Sequence, residues 1–235
     1  MIIASNFKTN HTRESTKEFL NTLNTFVKEN HIKDDILVFP TATSLDNFNL
    51  SSNISIGAQN AYHVEKGSFT GEIGTEQLDE FGIKTILIGH SERRDVLKES
   101  NDSIEKKYNF YKELGYKIVF CIGEPLEVRE SGLQEVLAYN FAQLENIDIN
   151  YENLIIAYEP VWAIGTGLTA SLKQIDETLN GLRKSIKAPL LYGGSVKVAN
   201  TKEILEIENC DGILVGTASW KVEDFSQMCR IASEL

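Results

Sequence analysis

The sequence predicts an α/β chain folded as a closed, eight-stranded parallel (β/α)8 barrel. Eight short, mostly continuous apolar runs rich in Ile, Val and Leu are spread along its 235 residues, as expected of strands buried on both faces. Longer amphipathic segments separate them, as crossovers between parallel strands require. An open doubly wound sheet shares the alternation, but eight strands favour closure. No Pro/Gly/Ser-rich linker interrupts the chain, so residues 1–235 are expected to form a single domain.

The runs follow in order. Ile2–Asn6, Ile36–Phe39, Ile54–Ala58 and Thr85–Ile88 supply the first four strands. Ile118–Ile122, Leu154–Tyr158, Leu190–Tyr192 and Gly212–Val215 supply the last four. After the first, Ser15–Glu29 sets Phe19, Leu23, Phe26 and Val27 on one helical stripe. Ile104–Leu114, Leu126–Leu144, Leu172–Ile186, Ala199–Ile207 and Phe225–Leu235 are the remaining helix candidates. Asn60–Gly74, with Phe69 and Thr70 at its expected tip, is a long connection for a compact domain, and such loops are commonly functional.

Composition excludes several classes. With 23 Lys+Arg against 34 Asp+Glu the net charge is −11. Nucleic acid is therefore not an expected partner, because phosphate backbones select basic surfaces. An anionic ligand needs a local site that overcomes the global field. The least charged long stretch, Leu154–Leu172, contains Glu159, Pro160 and Gly165-Thr166-Gly167, so no membrane helix is expected. Cys121, Cys210 and Cys229 are far apart and suit a reducing compartment better than a disulfide framework or zinc site. Met1–Lys8 lacks the basic and long apolar parts of a secretory leader, which agrees with a cytoplasmic location. His11, His31 and His63 lack metal-ligand spacing, and no Walker, GxGxxG or HExxH motif occurs.

In such a barrel chemistry collects just beyond the strand C-termini. Asn6-Phe7-Lys8 follows the first strand. Its lysine either snorkels outward or serves as a fixed cation for an anionic ligand or developing oxyanion. Gly89-His90-Ser91-Glu92-Arg93-Arg94 follows the fourth. A histidine at a helix start meets the positive helix end, which favours a neutral ring able to donate a hydrogen bond. Glu92 and Arg93 are expected to buttress neighbours, Arg93 by pairing with Glu72. Glu159 ends the sixth strand, where an apolar setting suits a general base; a buried structural partner for an arginine is the alternative. The apolar, glycine-punctuated segment after it, with Trp162 and Ile164, suits a lid that excludes water, unless it is a static loop. Tyr192-Gly193-Gly194-Ser195 and Gly216-Thr217 follow strands seven and eight, where barrel loops present backbone N–H groups to phosphate.

Taken together, Asn6-Phe7-Lys8, Gly67–Glu72, Gly89–Arg94, Cys121–Glu124, Ala157–Gly167 and Tyr192–Ser195 resemble the triosephosphate isomerase family. They stand in the family's order and span nearly the whole chain. The resemblance implies a TIM barrel that interconverts dihydroxyacetone phosphate and D-glyceraldehyde 3-phosphate, in glycolysis and gluconeogenesis, without metal or organic cofactor. It further implies that Glu159 abstracts the proton α to the carbonyl. Neutral His90 would polarise the carbonyl oxygens, Lys8 supply fixed positive charge and Asn6 orient the substrate. Backbone N–H groups of Gly165, Ser195, Gly216 and Thr217 would hold the phosphate. It also implies a homodimer in which the Asn60–Gly74 loop docks into a second subunit. Leu168 stands where the family's lid commonly carries Lys, and Thr217 replaces the second glycine of a Gly-Gly pair. Two other readings share the phosphate loops: a barrel enzyme acting on another sugar phosphate, and a non-catalytic phosphometabolite-binding protein.

Overall fold

The apolar runs become eight parallel strands of one sheet: β1 (Ile2–Asn6), β2 (Asp35–Phe39), β3 (Ile54–Ile56), β4 (Thr85–Ile88), β5 (Lys117–Ile122), β6 (Leu154–Tyr158), β7 (Leu190–Tyr192) and β8 (Gly212–Val215). The computed structural model describes residues 1–164 and 168–235. Strand order is β3-β2-β1-β8-β7-β6-β5-β4, and the outermost strands meet at a parallel bridge between Ala58 and Ile86. Two hydrogen bonds close that seam: Ala58 N–H donates to the Thr85 carbonyl and Leu87 N–H to the Ala58 carbonyl, each at 2.9 Å. This is the expected TIM barrel, with a shorter β3 than the apolar run suggested.

Strand residues alternate between two cores. Ala4, Leu37, Phe39, Leu87, Val119, Cys121, Ile155, Ala157, Leu191 and Leu214 pack together as one cluster, the layered filling of a barrel interior. Their neighbours Ile3, Ile36, Val38, Ile118, Phe120 and Ile156 belong to the larger cluster shared with the helices. A two-residue period thus assigns each strand side chain to the lumen or the outer layer.

The helices are α1 (Arg13–Glu29), α2 (Thr75–Glu80), α3 (Asn101–Glu113), α4 (Leu126–Glu130), α5 (Leu133–Ala142), α6 (Leu172–Arg183), α7 (Val198–Leu205) and α8 (Val222–Ser233). Thr12 caps α1 and exchanges hydrogen bonds with Ser15, so the helix starts two residues before the expected Ser15. On α1, Phe19, Leu20, Leu23 and Val27 are buried. Phe26 is only half-buried, with the Arg230 guanidinium 4.8 Å from its ring centroid. The helix expected over Leu126–Leu144 is broken into α4 and α5 at Gly132, whose φ of 111° and ψ of 170° lie in a region essentially reserved for glycine. Helix α2 has no counterpart among the expected segments.

Candidate active site

Site residues gather where the strand ends meet. Asn6 closes β1, His90 lies two residues past β4 and Glu159 one residue past β6. They are 4%, 6% and 2% exposed. Together with Lys8, Ser195, Gly216 and Thr217 they line one cavity of about 560 Å³. Gly165 lies outside the described residues, as does the centre of the expected lid.

Glu159 is held on several sides. Its Oε1 lies 3.2 Å from His90 Nε2, and its Oε2 accepts from the Ser91 N–H at 3.2 Å. The buried Cys121 thiol lies beside this carboxylate. Burial, with the Glu159 charge beside it, pushes that thiol well above its ordinary value. Glu159 N–H donates to the Ile122 carbonyl at 2.7 Å, and this close approach requires Gly123. A Cβ there would sit 1.7 Å from the Glu159 carbonyl oxygen. Among the described residues Glu159 forms no ion pair with an arginine.

The His90 ring is oriented from its other nitrogen. The Glu92 N–H, opening a single π-helical turn over Glu92–Val96, donates to Nδ1 at 3.2 Å. An accepting Nδ1 carries no proton, so the neutral tautomer places it on Nε2, which then donates to Glu159. Helix geometry beyond β4 therefore fixes both the direction and the donor role of the ring.

Lys8 is turned inward by its backbone. Its φ is 51°, unusual for a side chain with a Cβ, and three contacts hold it. Lys8 N–H donates to Asn6 Oδ1 at 3.0 Å, and Gln59 Nε2 donates to the Lys8 carbonyl at 2.8 Å and the Phe39 carbonyl at 2.9 Å. Lys8 Nζ bonds Glu92 Oε1 at 2.6 Å. Glu92 thus buttresses both Lys8 and His90, as expected of it. Arg93 does not pair with Glu72: its Nε donates to Glu99 Oε2 at 2.7 Å, because the chain folds back ahead of α3 and Glu99 N–H donates to the Arg93 carbonyl at 2.8 Å.

At the cavity's other end, Thr217 opens a single 3-10 turn over Thr217–Ser219, and the first N–H groups of such a turn have no internal acceptor. Gly193 N–H is used by the Tyr158 carbonyl, at 2.8 Å. Ser195 and the exposed Thr217 face the same cavity. The arrangement combines a buried carboxylate, a donor imidazole, a lysine and an anion-suited turn. It suits abstraction of a proton next to a carbonyl in a phosphorylated substrate.

Comparison with known proteins decides the matter. The family model described as Triosephosphate isomerase matches residues 1–232. The chain belongs to the triosephosphate isomerase family. It is 53% identical over 235 residues to a triosephosphate isomerase of Sulfurimonas denitrificans, covering all of this chain and 97% of that protein. Identity to a triosephosphate isomerase of Nitratiruptor sp. is 55% over 235 residues, covering both chains completely. To one of Wolinella succinogenes it is 54% over 230 residues, covering 98% and 99%. Membership in the triosephosphate isomerase family makes the chain an isomerase of triose phosphates, a glycolytic activity.

Sequence reasoning passed over Gln59, Cys121 and Trp220 as parts of this site. Trp220 Nε1 donates to the Asn6 carbonyl at 3.3 Å. Gln59 stands just beyond β3, the position that flagged the other site residues, and that alone could have marked it. Nothing local distinguished Cys121, an interior β5 residue, or Trp220.

Proposed function

We propose that this isomerase converts D-glyceraldehyde 3-phosphate and dihydroxyacetone phosphate through an enediolate, with Glu159 as base, His90 as electrophile and Lys8 as electrostatic stabiliser. The observation that carries this reading is the His90 Nε2 to Glu159 Oε1 contact of 3.2 Å, with His90 Nδ1 already occupied. Substrate binding exchanges partners. The Glu159 carboxylate leaves His90 and Ser91 to take the α-proton, and the freed Nε2–H meets the carbonyl oxygen. As the C–H bond breaks, its electron pair becomes the new C=C bond and the carbonyl oxygen gains negative charge. Nε2–H and the Lys8 ammonium stabilise that oxygen. His90 Nε2 gives its proton to that oxygen and takes the hydroxyl proton from the oxygen next to it, so carbonyl and hydroxyl exchange places as Glu159 returns its proton to the neighbouring carbon; these proton transfers use the chain's own side chains.

Asn6 orients substrate beside Lys8. The phosphate lies against backbone N–H groups of Ser195, Gly216 and Thr217, with Gly165 contributing from the lid. The 3-10 turn that opens at Thr217, on the cavity wall, supports this placement. Incubating dihydroxyacetone phosphate with the enzyme in D2O should place deuterium on C1, and Glu159→Gln should abolish the exchange. Isomerisation without any solvent exchange in the unsubstituted enzyme, across a range of substrate concentrations, would reject a freely exchanging enediolate intermediate.

The working form is a homodimer joined through Asn60–Gly74. Phe69 is 43% exposed at the loop tip, and Val96 and Leu97 are 71% and 63% exposed. Val96 and Leu97 border a groove of about 510 Å³ that also touches Asn6, Lys8 and Glu92. An apolar tip and an apolar-edged groove on one chain are self-complementary, as a two-fold interface requires. In this arrangement Thr70 of the partner subunit comes near Asn6 and Glu92. Residues 1–235 act as one domain, a reading supported by a sheet that draws strands from residue 2 to residue 215. A reducing cytoplasm suits three buried free thiols. A net charge of −11 disfavours nucleic acid as a partner, and no helix among the described residues is long and apolar enough to cross a membrane.

A further inference from the structure

The cavity holds a second cation that takes no part in the proposed proton transfer. Two lysines line this cavity, Lys8 and Lys197. Lys8 is 2.6 Å from Glu92, so part of its charge is already balanced. Lys197, exposed and two residues beyond Ser195, forms no ion pair among the described residues. It precedes the first turn of α7, and its backbone is fixed there: Lys197 N–H donates to Asn200 Oδ1 at 2.7 Å, and its carbonyl accepts from the Thr201 hydroxyl at 2.8 Å.

We propose that Lys197 is the capture residue for the substrate's phosphate dianion. The inference rests on the assignment of Ser195, Gly216 and Thr217 as the phosphate end. A chain of net charge −11 repels a dianion at long range, and Glu159 adds a further negative charge inside the cavity. Backbone N–H groups are dipoles whose attraction falls off within a turn, so they hold a phosphate that has arrived without drawing one in. An unpaired ammonium acts over a Debye length, about 8 Å at physiological salt and about 30 Å at 0.01 M. Lys197 therefore raises the encounter rate and steadies the bound phosphate, and it takes no part in proton transfer. A phosphate monoester is the ligand class it selects over the unphosphorylated sugar.

The test is steady-state kinetics of Lys197→Gln, Lys197→Glu and Lys197→Arg beside the unsubstituted enzyme, at about 0.01 M and about 0.15 M salt. Lys197→Gln should lower kcat/KM for D-glyceraldehyde 3-phosphate on the order of fivefold at low salt, through KM rather than kcat. The loss should shrink at the higher salt. Lys197→Glu should lose more, and Lys197→Arg should restore the value. The inhibition constant of inorganic phosphate should rise in parallel, while turnover of unphosphorylated D-glyceraldehyde changes much less. An unchanged KM and phosphate inhibition in Lys197→Gln would overturn the proposal, as would an equal loss for both substrates. If inorganic phosphate does not compete with substrate in the unsubstituted enzyme, the phosphate end itself is misassigned and the proposal falls with it.

Discussion

His90 has one ring nitrogen for each of two tasks, and the chain has assigned both. Nδ1 accepts from Glu92 N–H and Nε2 faces Glu159. His90→Gln can still donate from its amide, but nothing dictates which way that amide turns. Losing one aligned oxyanion donor typically costs about 100- to 1000-fold in kcat, and that is the loss expected here, with KM changing far less. A kcat within a few-fold of the unsubstituted enzyme would leave His90 without its role. Candidate positions could be read from the sequence because Asn6, Lys8, His90 and Glu159 all stand at or just past apolar strand ends. Their partners could not. Lys8 meets Glu92 across 84 residues of chain, and the choice of Glu99 over Glu72 for Arg93 depends on how the chain folds back ahead of α3, which no local pattern records.

Among the elements, β1, β4, β6, β7 and β8 match their apolar runs residue for residue, because burial on both faces writes itself as a continuous local signal. Helix α2 was not legible: six residues with Leu78 as the one large apolar side chain show no period. The α4–α5 break was hidden in an otherwise helical run, although Gly132 marks it. Its backbone is prohibitive for a Cβ, so Gly132→Ala should destabilise the chain by about 1–3 kcal/mol. A urea midpoint that does not move would show that the break tolerates another conformation. The segment leading into α3 carries a buried cluster of charges. Glu99 is 6% exposed in its side chain and pairs with Arg93 at 2.7 Å and with Lys107; Lys107 also donates to Asn60 Oδ1 at 2.6 Å, tying the start of the 60–74 loop to the helix. Burial alone would raise the Glu99 carboxyl, but the two cations outweigh it and hold it below its ordinary value. A depressed folded value contributes stability above the unfolded carboxylate value of about 4.3 and loses it as pH falls through the folded one. Thermal melts of Glu99→Gln should therefore show lower stability at neutral pH, on the order of 3–5 kcal/mol. They should also show a shallower acid-side decline than the unsubstituted protein. Parallel acid-side curves would separate Glu99 from that decline.

At the scale of the molecule, one sheet brings the ends of β1, β4, β6, β7 and β8 to a single mouth, and in the proposed dimer the 60–74 loop sets a second copy beside it. Sedimentation at micromolar concentration should give a dimer, and Leu97→Asp, which puts a charge on the apolar groove edge, should shift it toward monomer and lower activity together. A monomeric unsubstituted protein would reject the assembly. In the proposed mechanism Glu159 moves the proton in a cavity that binds substrate independently of that step. The most direct measurement is a coupled assay of D-glyceraldehyde 3-phosphate turnover by Glu159→Gln, with competition by inorganic phosphate measured on the same preparation. The amide keeps the side chain's size but cannot act as the base, so kcat should fall about 100- to 10,000-fold while phosphate competes as before. Turnover close to that of the unsubstituted enzyme would mean that the proton has another acceptor and that Glu159 is not the base.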